Sequence, residues 1–180
     1  MPDTAPSMFQ VFIRASLEEV WQEITRTDDV IPAFFNNRMH VRSLEPGSRL
    51  AMRTPDGKYT GVVGEILEVV PLKRFSHTFQ FTNLDDPACT VIYDLEQADG
   101  GVKFTLTIDD LPVGTKTAKQ MIQGGKMIVG TLRAVLETGK PSFGIRMLYV
   151  LFKLLQPTSP KRCRSENWPI DTPATNGSSH

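Results

Sequence analysis

Three histidines and a scatter of carboxylates are the side chains of this 180-residue chain best suited to chemistry. His77 stands in an alternating stretch that places it on the same side as Phe75 and Phe79, where a histidine serves either as a general base or as a hydrogen-bonded structural group. His40 and His180 are too distant in sequence to form a metal motif with it. Glu65, Asp94, Glu96, Asp109 and Asp110 lie on or beside strand-like segments. Two of them converging in a cavity would supply an acid and a base; the other reading is solvated strand residues and turn formers. Cys89 and Cys163 show none of the paired spacings of metal or redox motifs and fit a reducing compartment. Cys163, between Arg162 and Arg164, is either an activated thiol or a merely exposed one. The chain has no Gly-x-Ser-x-Gly elbow, phosphate loop or dinucleotide fingerprint. No catalytic residue, metal ligand or cofactor is therefore assigned.

The elements that must position these residues follow a simple order. Met8 to Ala15 alternates, with Phe9, Val11 and Ile13 on one side, as a half-buried strand does. Ser16-Leu17-Glu18-Glu19 is a capping box, and Leu17, Val20, Trp21 and Ile24 continue it as an amphipathic helix. Asp28 or Asp29 is placed to cap a second short helix running to Phe34 and Phe35. Strand-like stretches follow, at His40–Leu44, Arg49–Thr54, Tyr59–Val70, Arg74–Phe81, Thr90–Gln97 and Val102–Asp109. Turn signals such as Pro55-Asp56-Gly57 and Asp99-Gly100-Gly101 make hairpins, and hence an antiparallel sheet, the natural connection. From Thr115 to Glu137, Ala118, Met121, Ile122, Ile128, Val129, Leu132, Val135 and Leu136 recur at helical spacing, and Gly139 sits where a left-handed C-cap belongs.

Composition bounds the function classes. Twenty Lys and Arg balance twenty Asp and Glu, so the chain lacks the excess positive charge a dedicated nucleic-acid binder needs. Its length suits one domain with a single core. Met1 to Ser7 has no apolar run of the kind a secretory signal carries, so a cytoplasmic location is expected and Asn176-Gly177-Ser178 is not read as a glycosylation site.

The order of elements and several local signatures resemble the SRPBCC superfamily, and within it the domain named for activators of Hsp90 ATPase. The signatures are the strand-Ser-Glu-x-Val-Trp start over Phe9–Trp21, Asp56-Gly57, Gly64-Glu65-Ile66 leading to Pro71-x-x-Arg74-Phe75, Thr90-x-x-x-Asp94-Leu95-Glu96, and Leu132-Arg133-x-x-Leu136-Glu137-x-Gly139. The resemblance implies an α+β helix-grip fold over residues 8–140. A curved antiparallel sheet of about six to seven strands would wrap a long helix, leaving an apolar cavity. Strand parity and that fold together nominate Phe34, Phe35, Met52, Phe79, Tyr93, Phe104, Met121, Gly125 and Ile128 as walls for a small hydrophobic or lipid-like ligand. Two other functions stay open: a chaperone-associated interaction protein, and a cyclase- or hydrolase-like enzyme using Glu65, His77 or Asp94. Many relatives carry tryptophan where this chain has Gly125. The glycine either enlarges the pocket or kinks the helix, or else it marks close packing or an aromatic arriving from elsewhere.

Residues 141–156 lie beyond the resemblance. There Arg146, Tyr149, Lys153 and Gln156 form a narrow polar stripe on an otherwise apolar helix, whose apolar side must be buried on this domain, in a homodimer or partner interface, or against a membrane surface. Six basic residues and no acid lie between 140 and 164, a balance suited to anionic lipid. The apolar run is far short of the roughly 20 residues that span a bilayer. Residues 157–180, rich in proline and small polar side chains, are expected to be an irregular or disordered tail in which Trp168 and Ile170 anchor a part.

Overall fold

The computed structural model describes residues 6–170; the Met1–Ala5 part of the N-terminal reading, the Asn176 motif and His180 lie outside them. β1 (Ser7–Ile13) leads into α1 (Leu17–Ile24), and the Ser16 capping box forms in full, its hydroxyl accepting from the Glu19 amide while the Glu19 carboxylate accepts from the Ser16 amide. The second short helix is reduced to a two-residue strand, β2 (Val30–Ile31), and one 3₁₀ turn over Pro32–Phe34. Pro32 starts that turn, but Phe35 and Asn36 at once adopt left-handed φ of 56° and 58°, which stops any helix.

Six further strands follow: β3 (Asn37–Val41), β4 (Arg49–Arg53), β5 (Thr60–Val70), β6 (Arg74–Phe81), β7 (Cys89–Ala98) and β8 (Gly101–Asp109). All neighbours pair antiparallel in one eight-stranded sheet of order β1-β8-β7-β6-β5-β4-β3-β2. The count exceeds the expected six to seven because β2 adds a short edge strand. Register bulges at Met52/Arg53 and between Ile66 and Glu68 increase the local twist and help the sheet to curl.

α2 (Lys116–Thr138) fills the hollow of the curled sheet. Thr115 caps its start by accepting from the Ala118 amide, and Gly139 ends it at φ 78°, a conformation costly for a residue with a Cβ. Its buried side chains Ala118, Met121, Val129 and Leu132 meet Ile13, Phe104, Leu106 and their neighbours in the core. Ile122, read as part of that stripe, is instead 42% exposed. The expected α+β helix-grip architecture is thus present.

α3 (Phe143–Leu155) is followed by three 3₁₀ turns, Gln156–Thr158, Lys161–Cys163 and Ser165–Asn167. This part of the expected irregular tail is ordered by specific bonds. The Ser165 amide donates to the Lys58 carbonyl, Arg53 to the Trp168 carbonyl, and the Trp168 indole to the Arg162 carbonyl, while Arg162 pairs with Asp85 at 2.8 Å. Cys163 is consequently buried rather than exposed.

Candidate functional site

A cleft of about 1330 Å³ lies between the concave face of the sheet and α2, with α3 across its open side. Strand alternation explains its floor. In β6 the residues His77, Phe79 and Phe81 share one face, as do Val91 and Tyr93 in β7 and Leu106 and Ile108 in β8. Aromatic rings dominate: Phe34 stacks on Tyr93 at 5.4 Å, and Phe79 meets Phe81 edge-on at 4.9 Å.

Eight of the nine nominated residues, Phe34, Phe35, Met52, Phe79, Tyr93, Met121, Gly125 and Ile128, border this space. Phe104 does not, and that expectation is corrected. It has the right parity, but it pairs with Leu95 toward the end of β7–β8 that α1 covers, and it is fully buried beneath Tyr93, ring centroids 6.1 Å apart. Parity assigns a face and says nothing about position along the strand. Val91, Leu106, Ile108 and Phe81 were missed although the same parity contains them.

Two adjacent glycines let the aromatic wall form. A Cβ at Gly125 would clash with the Phe9 ring, and one at Gly124 would touch the Phe35 ring at 3.4 Å. The side chain missing from Gly125 is therefore replaced by Phe9 arriving from β1. The glycine marks close packing with a compensating aromatic, not an enlarged pocket. Phe35 reaches Gly124 from its left-handed backbone, a strained conformation for a bulky residue, next to the Asn37 side chain that donates to the Phe34 carbonyl.

The polar groups are few. His77 is 1% exposed, its Nδ1 lies 2.8 Å from the Thr78 carbonyl, and its Nε2 has no partner. Since a carbonyl only accepts, Nδ1 carries the proton and Nε2 is a bare acceptor. Burial pushes the His77 pKa down from 6.5 to about 4, so the ring is neutral near pH 7. Burial likewise drives the Tyr93 hydroxyl far above its ordinary value. The other proposed catalytic groups do not converge with His77. Glu65 is exposed, and Asp94 is held at 2.6 Å by Arg74; neither borders the cleft. The carboxylate that does border it, Asp56, sits at the rim, where it accepts from Thr54, the Lys58 amide and Gln156. A two-carboxylate mechanism in the cavity has no residues to carry it among those described. The described residues also contain no cluster of three His, Cys, Asp or Glu able to hold a metal ion.

α3 contributes its polar stripe to the cleft: Arg146, Tyr149, Lys153 and Gln156 all border it. The Tyr149 hydroxyl donates to the Pro32 carbonyl and Gln156 to Asp56 at 2.8 Å, which fixes the helix between the 3₁₀ turn and the β4–β5 hairpin. Burial raises the Tyr149 pKa to about 12. Arg146 and Lys153 stay exposed at the rim, and nothing in the sequence marked Tyr149 and Gln156 as the anchors.

Comparison with known proteins matches residues 14–137 to the family model described as activator of Hsp90 ATPase homolog 1-like protein. No curated protein matches the chain. Among solved structures, the chain is similar to DynU16, from the dynemicin biosynthetic locus, with 22% identity and a TM-score of 0.60 over 77% of this chain; it spans about half, 49%, of that one. It is also similar to the Aha1 dimer from Colwellia psychrerythraea, with 18% identity, a TM-score of 0.62, and 76% and 99% of the two chains covered. A third is an HSP90 activator from Plasmodium falciparum, with 14% identity, a TM-score of 0.57, and 77% and 99% coverage. Identities this low speak for the fold alone.

Proposed function

The chain belongs to the activator of Hsp90 ATPase homolog 1-like family, and from that premise we propose that it binds a small hydrophobic or lipid-like molecule without transforming it. The observation that carries this reading is the cleft of about 1330 Å³, which is larger than the usual ligand site and is walled by Phe34, Phe79, Phe81 and Tyr93. The binding energy would come from burying apolar ligand surface, roughly 25 cal/mol per Å² before the costs of association. His77 Nε2 stands beside that wall as a neutral group without a partner, and among the described residues no carboxylate but Asp56 at the rim borders the cleft, which supports binding over catalysis. Two free, buried cysteines, Cys89 and Cys163, support a cytoplasmic setting.

The test is native mass spectrometry of protein purified from its own host, followed by denaturing extraction. A stoichiometric apolar companion is expected, with occupancy reduced by Ile128→Trp, which adds a ring to the cleft wall. A consistently empty protein overturns the reading.

Family membership favours a second reading, binding to an Hsp90-type chaperone and stimulation of its ATPase, and two of the similar structures carry the Aha1 or HSP90-activator name. An ATPase assay with the purified chaperone separates the two. No stimulation at saturating protein removes the second.

A further inference from the structure

We propose that the outward face of α3 is a docking surface for an anionic lipid membrane. Unlike an ordinary surface helix, α3 keeps much of its apolar surface in solvent. Tyr149 and Gln156 tie it to the cleft by their hydrogen bonds, Val150 and Phe152 border the same space, and Arg146 and Lys153 stand at its rim and stay exposed. Its apolar side meets solvent, with Phe143 75%, Leu154 70%, Met147 51%, Leu155 51% and Leu151 48% exposed and no residue of the helix buried. Contiguous exposed apolar side chains of this kind mark interaction sites.

Length and charge identify the occupant. Thirteen residues extend about 20 Å, well short of the roughly 30 Å hydrocarbon core, so the helix can lie only in the plane of the interface. Among the described residues no helix is long and apolar enough to cross a membrane. Lys140 and Lys161 flank the two ends of α3, Arg146 and Lys153 lie on it, and none of the four has an ion-pair partner among the described residues; Arg162 and Arg164, by contrast, face Asp85 and Glu166. Four uncompensated cations around an apolar ridge match lipid phosphates at headgroup depth.

A second copy of the chain is the weaker occupant on two counts. A stable protein interface engages about 20–30 residues a side, whereas α3 offers five exposed large apolar side chains away from the cleft, Phe143, Met147, Leu151, Leu154 and Leu155. A two-fold pairing would also bring these cations together, with no acid between 140 and 164 to offset them.

The experiment is co-flotation of the full 180-residue chain with vesicles of two parts phosphatidylcholine to one part phosphatidylglycerol, and with phosphatidylcholine alone. Flotation is expected with the anionic vesicles only, weakening as salt is raised. Leu151→Gln with Leu154→Gln should abolish it. Lys140→Gln with Lys161→Gln should lower partitioning by about tenfold or more, at the usual value of a basic residue near an anionic surface. Both pairs are solvent-exposed, and unchanged thermal melting excludes a folding defect. Wild-type protein that stays unbound, or variants that float like wild type, overturn the proposal. So does a dimer by light scattering that Leu154→Gln dissociates while no flotation occurs. Ligand occupancy is read separately by mass spectrometry, so an empty cleft leaves this surface standing.

Discussion

Helices α2 and α3 border the same cleft, and each has one apolar and one polar stripe, yet only α2 buries its apolar side. α2 turns Met121, Val129 and Leu132 to the sheet and leaves Lys119, Lys126 and Arg133 in water. α3 is tied to the cleft through Tyr149 and Gln156, keeps Arg146 and Lys153 exposed at the rim, and leaves Phe143 and Leu154 in water. Amphipathic spacing promises that one face will be covered, but the covering partner decides which face that is. For α2 the partner is the sheet of the same chain; for α3 nothing within the described residues covers the apolar face.

The largest expected effect separates the two helices by stability. Leu132→Ala, at a site with no solvent exposure, should cost about 2–5 kcal/mol in urea unfolding. If it costs no more than a surface substitution, α2 is not the structural member of the pair.

Next is the buried interior that α2 helps to close. His77 has a folded pKa of about 4 against 6.5, so between those values the unfolded chain binds the extra proton. Its contribution is therefore fully present above pH 6.5 and is lost as pH falls toward 4, by up to about 3 kcal/mol. Urea titrations across that window should show the slope, and His77→Gln should flatten it. A slope unchanged by the substitution would place the titration elsewhere.

Glycines on α2 sharpen the contrast further. Gly125→Ala forces its methyl group into the Phe9 ring and should destabilise by about 1–3 kcal/mol, with Phe9→Leu recovering part of the loss in a double-mutant cycle. A Cβ at Gly130 meets nothing within 4 Å, so Gly130→Ala should stabilise by about 1 kcal/mol through helix propensity. Equal effects at the two positions would deny the close Phe9 packing. The smallest effect is on α3: Leu154→Ala, at a side chain 70% exposed, should stay within about 0.5 kcal/mol in the same assay.

Much of this architecture could be read from local chemistry. The Ser16 capping box, the Gly139 terminus, the hairpin turns and the alternation of β6, β7 and β8 each depend on residues near one another in sequence, so pattern and outcome agree. Eight wall residues were reachable because strand parity is a local property once the helix-grip arrangement is assumed. Phe104 was misplaced because the cleft closes where α1 covers the strand ends, a long-range fact. Gly125 was ambiguous for the same reason, since its neighbour Phe9 lies more than a hundred residues away in sequence.

Residue types and their periods thus determined on their own the strands β1 and β3 to β8, the helices α1 and α2, and that Ser142–Gln156 is a helix with a polar stripe, though not the strand and turn at 30–34. Only the tertiary structure decided that Phe9 fills the space at Gly125, that Asp94 is spent on Arg74 outside the cleft, and that Tyr149 and Gln156 tie α3 across the cleft. The physical reason is the same in each case. A period of two or 3.6 residues is written into the backbone geometry, whereas the identity of the group packed against a face depends on chain crossings that no local pattern encodes.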